Sequence, residues 1–395
     1  MYHLRISVLS MKGGIRQKAT AVWEVRLEAG RDPVTGRRRQ VSRSVHGTKR
    51  EAQRILNTLL ADAENGQGGR TAANFKQLSD QWMALVSNDL SPTTVHRYKN
   101  LLKNRILPAL GNRSVNSIRT NDLDRLYLGL VNDVGLAPAT VRQAHAIIRR
   151  AFRQAVLWGW IATNPAINAT PPRIAKSKPS PPDVGQVGAL LQRAGESDPE
   201  LSRFLHVAAT TGARRGEVCA LRWKNFDTVL RSLTIEHSIV DLPGGLVEKD
   251  TKTHVNRRMA LDVGTAEVLE EQRRSMSDRA TAANLQITSE SFVFSNEPDG
   301  LTPWVPGSVT KRFQKLRDSL GFENMRLHDL RHFTATRLIA AGVPVRTVSG
   351  RLGHADPSTT LSVYAHFVEA SDQVAATVMG ELVTKTPSIQ KSKLI

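Results

Sequence analysis

The 395-residue sequence is 40% hydrophobic, which is enough for two or three domains with their own cores, and no apolar run reaches the roughly 20 residues of a membrane span. Its 55 Lys and Arg residues against 36 Asp and Glu residues give a net charge of +19, which favours a polyanionic partner, DNA or RNA, over a membrane surface. The single cysteine, Cys219, excludes an intrachain disulfide framework and a cysteine-rich zinc site, and without a signal peptide at the N-terminus we expect a cytoplasmic protein.

Residues 1–66 are predicted to form a small sheet followed by one helix. The segments AVWEVRLEAG and RRRQVSRSV have the composition of strands and flank the turn sequence RDPVTG. The helix begins with Thr48 and Glu51 at capping-box spacing, and its apolar residues recur on one face. A basic cluster around the second strand is predicted to bind DNA, as β-ribbon proteins do, although a solvated charged face is the alternative. The cluster consists of Arg37, Arg38, Arg39 and Arg43.

Residues 73–170 are predicted to be entirely helical. Ser91 as the N-cap and Pro92 at the first helical position predict one helix over SPTTVHRYKNLLKNRILPAL, and NDLDRLYLGLVNDV follows as a shorter one. The third helix, APATVRQAHAIIRRAFRQAVLWGW, carries an apolar stripe and a basic cluster. The basic cluster, which either contacts phosphate groups or is simply solvated, consists of Arg149, Arg150 and Arg153.

A linker rich in Pro and Lys, residues 171–182, separates the helical unit from the largest domain, residues 183–385. This domain is predicted to open with helices, to pass through strands near LTIEHSIV, LVEKDT and RRMALD, and to return to helices. Residues 386–395 are predicted to be a basic tail.

Four short segments of the largest domain contain the side chains that carry chemistry. They are TGARRGE, the TK dipeptide of residues 251–252 at the end of the predicted strand LVEKDT, HDLRH, and LGHADPSTTLSVYAHF. Taken singly, each has an ordinary explanation, such as a helix salt bridge, a solvated lysine or a core tyrosine. The candidate residues are Arg214, Glu217, Lys252, His328, Arg331, His354 and Tyr364.

Together these side chains are the set needed to break a phosphodiester bond without a metal ion or a nucleotide cofactor. Two guanidinium groups can hold the non-bridging oxygens, and a tyrosine hydroxyl can attack phosphorus to form a covalent phosphotyrosine. A histidine can take the phenol proton, and a lysine in a hairpin can protonate the leaving 5′ oxygen. A zinc site on His328 and His332 is disfavoured, because Arg331 would place a positive charge beside the metal.

The order and spacing of these segments resemble the tyrosine recombinase family of the phage integrase type, over most of residues 183–370. The resemblance implies that Tyr364 is the nucleophile, that Lys252 is the general acid, and that Glu217 is a supporting acidic residue. Lys249 is the alternative general acid, because the alignment of a hairpin with the family can shift by a few residues and Lys249 lies three residues before Lys252. The remaining catalytic positions implied by the resemblance are Arg214, His328, Arg331 and His354.

The resemblance also implies a multidomain fold that is mainly α-helical with small β elements. Residues 1–66 are similar to an arm-type DNA-binding domain, a three-stranded sheet with one helix. Residues 73–170 are similar to a helical core-binding domain, and residues 183–385 to a mixed α/β catalytic domain. The segment after Tyr364 is expected to dock as a helix on a neighbouring protomer or on its own domain.

The function implied is a site-specific DNA recombinase that integrates or excises a phage or another mobile element through a 3′-phosphotyrosine. The expected partners are double-stranded DNA at core and arm attachment sites, three further copies of the chain in a tetramer on DNA, an excisionase and a host DNA-bending protein. The alternatives are a chromosome-dimer resolvase, an enzyme similar to type IB topoisomerases, and a DNA-binding regulator without catalytic activity. The first 66 residues favour the integrase, because chromosome-dimer resolvases of this family resemble only the last two domains and lack an arm domain.

Overall fold

The computed structural model describes residues 13–31, 38–64, 73–175, 181–250, 256–353, 376–377 and 379–381. It confirms the predicted fold class, since helices predominate and the sheets of the described residues are small. The chain divides into two compact units, residues 1–176 and 177–395, and this division falls inside the predicted linker. No helix in the described ranges is both long and apolar enough to cross a membrane.

The N-terminal part is an antiparallel sheet in the order β1-β2-β3, followed by one helix. Its elements are β1 (Gly13–Ala19), β2 (Val22–Arg31), β3 (Arg38–His46) and α1 (Lys49–Glu64). Strand periodicity identifies β2 and β3, whereas β1 is expected only from the resemblance, because its sequence GGIRQKA is largely polar.

The predicted capping box at the start of α1 is confirmed. The backbone N–H of Thr48 donates to Glu51 Oε2 at 2.7 Å, and the backbone N–H of Glu51 donates to Thr48 Oγ1 at 3.3 Å. The apolar face of α1 packs against the sheet, and this packing forms the small core of the N-terminal part. The residues of this core include Val25, Val45, Ala52 and Leu56.

The helical part of the first unit contains α2 (Phe75–Val86), α3 (Pro92–Leu101), α4 (Leu107–Leu110), α5 (Thr120–Asn132) and α6 (Pro138–Leu157). The predicted apolar stripe of α6 is confirmed as the centre of its core, since Val141, Ala144, Ile148, Ala151, Phe152 and Ala155 are all fully buried.

The single helix predicted from Ser91 onwards is interrupted by a π-helical turn between α3 and α4. In this turn the backbone N–H of Leu107 donates to the carbonyl oxygen of Leu102, five residues earlier. Pro108 accounts for the turn, because it has no N–H to donate and its ring would clash with the carbonyl of the preceding turn in a regular helix. Ser91 occupies the predicted N-cap position, but its hydroxyl bonds to the hydroxyls of Thr93 and Thr94 instead of a backbone N–H.

Among its described residues, the second unit begins with α7 (Val184–Ser197), α8 (Pro199–Thr211) and α9 (Arg215–Cys219), continues through five strands, and returns to helices. The strands are β4 (Phe226–Asp227), β5 (Ser232–Ile235), β6 (His237–Leu242), β7 (Gly245–Asp250) and β8 (Arg257–Ala260). The later helices are α10 (Val263–Ala282), α11 (Pro306–Ser319), α12 (Asp329–Ala340) and α13 (Val345–Leu352).

The described strands of the second unit form two separate antiparallel sheets, one in the order β4-β5-β8 and the other the β6-β7 hairpin. The predicted strand LTIEHSIV is therefore two strands, which part at Glu236. The side-chain amide of Asn225 donates to the Glu236 carboxylate at 2.9 Å, and this bond holds the chain where it leaves one sheet for the other. In the core to which these strands contribute, the rings of Phe204, Phe294 and Trp304 pack at centroid distances of 5.0 to 5.7 Å.

Candidate active site

Helix α8 ends at Thr211 in a tight turn, and the TGARRGE segment that forms this turn is largely buried, with Arg215 exposed. Gly212 adopts a left-handed conformation at φ +66°, and a Cβ atom there would lie 2.5 Å from Cδ2 of Leu352 in α13. Gly216 is equally restricted, because a Cβ atom would lie 2.5 Å from the carbonyl oxygen of Ile239 in β6. The two glycines therefore let this segment approach both α13 and the β6-β7 hairpin.

Arg214 is the N-cap of α9, with an extended backbone, and not a residue inside the helix as the spacing alone suggests. Its guanidinium Nη1 donates to Glu217 Oε1 at 2.8 Å, and its backbone N–H donates to Glu217 Oε2, also at 2.8 Å. The predicted pairing of these two residues is therefore present, with one carboxylate holding both the main chain and the side chain of Arg214. About a third of the Arg214 side chain stays exposed, so the guanidinium remains accessible.

Arg331 lies in the first turn of α12 and is only 4% exposed. Its Nη1 donates to the carbonyl oxygen of Gly212 at 2.8 Å, two residues before Arg214. The turn after α8 therefore connects the two predicted arginines, since one extends from it and the other is anchored to it.

His328 is the residue before α12, and it lies near both arginines. Its pKa is lowered to about 4, first because part of the ring is desolvated, and then because the charges of His332, Arg331 and Arg214 oppose protonation. The rings of His328 and His332 pack edge to face with their centroids 5.1 Å apart. At neutral pH His328 is therefore a neutral imidazole, which is able to accept a proton.

The C-terminal end of α13 also contacts this site. Gly353 ends the helix in the left-handed conformation that its sequence predicts, at φ +68°, and its carbonyl oxygen accepts a hydrogen bond from Arg214 Nη2 at 3.3 Å. Of the predicted catalytic residues, Lys252, His354 and Tyr364 lie outside the described residues. The structure thus brings together Arg214, Glu217, His328 and Arg331 among those that it describes.

Lys249, the alternative general acid, lies on β7 directly opposite Ser238 of β6, so the two side chains share one face of the hairpin. Ser238 Oγ would lie only 2.6 Å from a Cβ atom at Gly216, which places this face towards the start of α9. The choice between Lys249 and Lys252 stays a prediction.

Arg257 on β8 is a member of the site that the sequence reading misses. Its Nη1 and Nη2 donate to Oε1 and Oε2 of Glu217 at 3.2 and 2.5 Å, and the side chain is buried. The alternation of RRMAL carries a signal for it, because Arg257 and Met259 fall on one face of the strand and Met259 is a core residue. Arg257 and Arg258 are nevertheless adjacent, and two adjacent arginines usually face solvent. The strand pattern alone therefore does not identify Arg257 as a buried residue of the site.

The predicted arginines of α6 lie in one concave groove. Arg149, Arg150 and Arg153 are exposed and line a cavity of about 1060 Å³ between α6 and the segment after it. Arg142 and His145 also line this groove, and the sequence analysis does not single them out. Both follow from helical spacing, because position 142 lies seven residues before 149, and 145 four before it.

The predicted arginines of the N-terminal sheet are placed differently. Arg38 and Arg43 are both exposed on β3, but an odd separation of five residues puts them on opposite faces of the strand. Arg43 pairs with the buried Val25 on the face that α1 covers. Arg37 lies outside the described residues, and of Arg39 only the backbone, in β3, is described.

The face of this sheet opposite α1 carries basic residues that the sequence reading does not single out. Lys18 and Arg26 are both exposed, and each forms an ion pair with Glu24, at 3.3 and 2.8 Å. Part of the positive charge of this face is therefore balanced within the sheet itself.

Comparison with known proteins identifies the family of the chain. The profile described as "Phage integrase family" matches residues 184–370, and the profile described as "Phage integrase, N-terminal SAM-like domain" matches residues 74–131. The chain belongs to the phage integrase family. The predicted recognition of this family is confirmed, and with it the prediction that the chain is an enzyme of the tyrosine recombinase kind.

Two relatives of this integrase match along nearly their whole length. The ICEBs1 integrase of Bacillus subtilis is 22% identical over 370 residues, which cover 93% of this chain and 99% of the relative. An integrase of Streptomyces ambofaciens is 26% identical over 378 residues, which cover 93% and 95%.

Solved structures share the fold of this integrase. The Tn1549 transposon integrase in complex with transposon right end DNA has a TM-score of 0.66 and 18% identity, covering 77% of this chain and 100% of that one. A lambda integrase tetramer bound to a Holliday junction has a TM-score of 0.59 and 17% identity, covering 87% and 92%. These similarities confirm the fold class that the sequence predicts.

Proposed function

We propose that this recombinase cuts and rejoins double-stranded DNA at defined attachment sites, with Tyr364 as its nucleophile, to integrate or excise a phage or another mobile element. The observation that carries the proposal is the connection of Arg214, Arg331 and His328 around the turn after α8. These are two guanidinium groups and a neutral imidazole, held within one site. Relatives that match over most of the chain are named as integrases of a prophage and of a mycobacteriophage, which favours the mobile-element role.

The proposed reaction is a transesterification at phosphorus. The Tyr364 oxygen attacks the scissile phosphate and forms a bond to phosphorus, while the bond from phosphorus to the 5′ oxygen breaks. His328 takes the phenol proton, and Lys252, or Lys249 in its place, donates a proton to the 5′ oxygen. Arg214, Arg331 and His354 stabilise the negative charge on the non-bridging oxygens. The free 5′ hydroxyl of a partner strand then attacks the 3′-phosphotyrosine in the reverse sense, so no ATP or metal ion is consumed.

The partners proposed for the chain follow from its domains. Residues 73–170 and 183–385 are proposed to hold the core site, and residues 1–66 to bind arm sites. Four copies are proposed to assemble on DNA, as the solved lambda integrase does on a Holliday junction. An excisionase and a host DNA-bending protein are proposed to set the direction of the reaction.

An assay for covalent adducts tests the function and separates it from two of the alternatives, the enzyme similar to topoisomerases and the regulator. Nicked duplexes tiled across the DNA that flanks the coding region are incubated with the full chain, and the products are resolved under denaturing conditions. We expect protein linked to the 3′ end of the cut strand on one duplex only. Adducts on every duplex would indicate an enzyme similar to a topoisomerase, and binding without any adduct would indicate a regulator.

The arginine groove of α6 is expected to contribute phosphate contacts. Each of the substitutions Arg149→Gln, Arg150→Gln and Arg153→Gln should reduce the slope of log affinity against log salt by about 1, because one fewer counterion is released. Fluorescence anisotropy on a labelled duplex at several salt concentrations measures this slope. Arg193→Gln in α7 is the matched control, since Arg193 is exposed but paired with Glu196, and its slope should not change. Unchanged slopes for the α6 variants would show that the groove does not contact DNA.

The low pKa of His328 predicts that the charge of its ring hardly changes between pH 7 and pH 5.5. With a pKa of about 4, about 97% of His328 is neutral at pH 5.5, whereas about 9% would be neutral at an ordinary pKa of 6.5. Because the pKa is lowered, neutral His328 should persist as the pH falls and be lost only near pH 4. NMR titration of the ring protons of the free protein, assigned by comparison with His328→Gln, measures this pKa directly. A midpoint near 6.5 would contradict the lowering of the His328 pKa by burial and by the neighbouring positive charges.

A further inference from the structure

Glu217 is buried beneath the site and is shared by two guanidinium groups from different elements. Four donors reach its two oxygens: the backbone N–H and Nη1 of Arg214, and Nη1 and Nη2 of Arg257. We propose that Arg257 is a positioning residue, which fixes the Glu217 carboxylate so that this carboxylate holds Arg214 in place for the scissile phosphate. The inference rests on the proposed function, because it assigns a role within the same reaction.

The geometry makes Arg257 a supporting group and not one that touches the substrate. Its side chain is 8% exposed, and both terminal nitrogens donate to Glu217. A Cβ atom at Gly353 would lie 2.8 Å from Arg257 Nη1, so the guanidinium also packs against the residue whose carbonyl oxygen accepts from Arg214. Arg257 thus lies behind two of the groups that hold Arg214, namely the Glu217 carboxylate and the Gly353 carbonyl.

Charge gives a second reason for the arrangement. Glu217 is 2% exposed, and burial alone would raise the pKa of its carboxyl group, yet this pKa is lowered. Hydrogen bonds from Arg257 oppose the effect of burial most strongly, followed by the charges of Arg257 and Arg214. In the described part of the chain, Arg214 and Arg257 are the charged groups that contact this carboxylate. Without Arg257, a single guanidinium would have to keep a buried carboxylate ionised.

A double-mutant cycle tests the inference. The rate of covalent adduct formation is measured in single turnover for the wild type, Arg257→Met, Glu217→Gln and the double variant, on the duplex that the wild type cleaves. We expect Arg257→Met to lower the rate by about 100-fold, as a small displacement of a catalytic group does. In the Glu217→Gln background the same substitution should cost little, because the carboxylate through which Arg257 acts is absent. Equal losses in both backgrounds would overturn the inference.

A pH profile gives a readout that a merely structural role would not change. When Arg257 is Met, Glu217 should accept a proton at higher pH than in the wild type, so the rate ratio of wild type to variant should fall as the pH rises from 6 to 8.5. Arg257→Lys restores a charge without the two-pronged hydrogen bonds, and should recover part of the rate. A ratio that is independent of pH would count against the proposed role.

Controls separate misfolding and failure of the function from failure of the inference. Arg258→Met is the matched control, since Arg258 is the next residue on β8, is mostly exposed and pairs with Asp227. Its rate should stay within about twofold of the wild type. If Arg257→Met does not fold, as judged by thermal unfolding, Arg257→Lys takes its place in the cycle. A wild type that forms no adduct would refute the proposed function, whereas a normal wild type with an unaffected Arg257→Met would refute only the role of Arg257.

Discussion

Replacing Tyr364 by Phe is expected to abolish covalent adduct formation while leaving DNA binding intact. Phenylalanine keeps the ring but has no oxygen to attack phosphorus, and no other group in the proposed site supplies a nucleophile. Removing the nucleophile of a covalent mechanism typically costs more than about 10⁴-fold in rate. A duplex labelled at the 5′ end of the cut strand, resolved on a denaturing gel, detects an adduct as a band of reduced mobility.

The matched control for this experiment is Tyr127→Phe, which removes the hydroxyl of another tyrosine. Tyr127 is buried in the helical part of the first unit, where its hydroxyl bonds to His145 Nδ1 at 3.0 Å. This variant should still form the adduct, although the loss of a buried hydrogen bond costs about 1 kcal/mol of stability. A residual adduct in Tyr364→Phe would move the nucleophile to another residue, and normal anisotropy binding by the same variant excludes misfolding as the cause of a negative result.

The local elements of this chain are predictable from the sequence where periodicity and capping agree. Helix α1 follows from the capping box of Thr48 and Glu51 and from one apolar stripe, and α6 follows from a stripe that is entirely buried. Gly353 is predictable as a helix end, because few other residues adopt its left-handed conformation. These features depend on neighbours within about one helical turn, which the sequence displays directly.

Features that depend on distant contacts are not predictable in this way. The interruption before α4 combines the effect of Pro108 with the packing of buried Leu102 and Ile106. Arg257 lies forty residues from Glu217, and nothing in its local pattern shows that its guanidinium ends on that carboxylate. The alternation of the strand places Arg38 and Arg43 on opposite faces, but only the pairing of Arg43 with the buried Val25 shows which of the two lies on the face that α1 covers.

The candidate site shows the same difference between local features and features that depend on distant contacts. The resemblance names Arg214, His328 and Arg331 individually, because their motifs are short and specific. The pairing of Arg214 with Glu217 is also predictable, because both residues lie in one motif. The anchoring of Arg331 on the Gly212 carbonyl and the contact of Arg214 with Gly353 appear only in the folded chain. A motif therefore shows the support that comes from its own residues, such as Glu217, and omits the support that comes from distant elements.

Replacing Arg214 by Lys is expected to lower the rate of adduct formation by about 1000-fold, with DNA binding changed by only a few-fold. The loss combines one missing donor to the phosphate oxygens with a looser position of the charge, because an ammonium group cannot reproduce two bonds at fixed angles. In the folded chain Arg214 is held by Glu217 on one side and by the carbonyl of Gly353 on the other. Lysine keeps the charge but cannot satisfy both contacts and the substrate together.

Arg215→Lys provides the comparison that makes this result specific. Arg215 is the next residue, is exposed, and donates to the hydroxyl of Thr310 in α11, away from Glu217. Its substitution changes the same residue type by the same chemistry in the same turn, so the rate should remain within about twofold of the wild type. Single-turnover rates on the cleaved duplex, with fluorescence anisotropy to measure binding, show whether the loss comes from disturbed folding of α9 or from the missing Arg214 guanidinium. Equal losses for both variants would mean that local folding of α9 is disturbed, whereas a selective loss at Arg214 requires its guanidinium in the transition state.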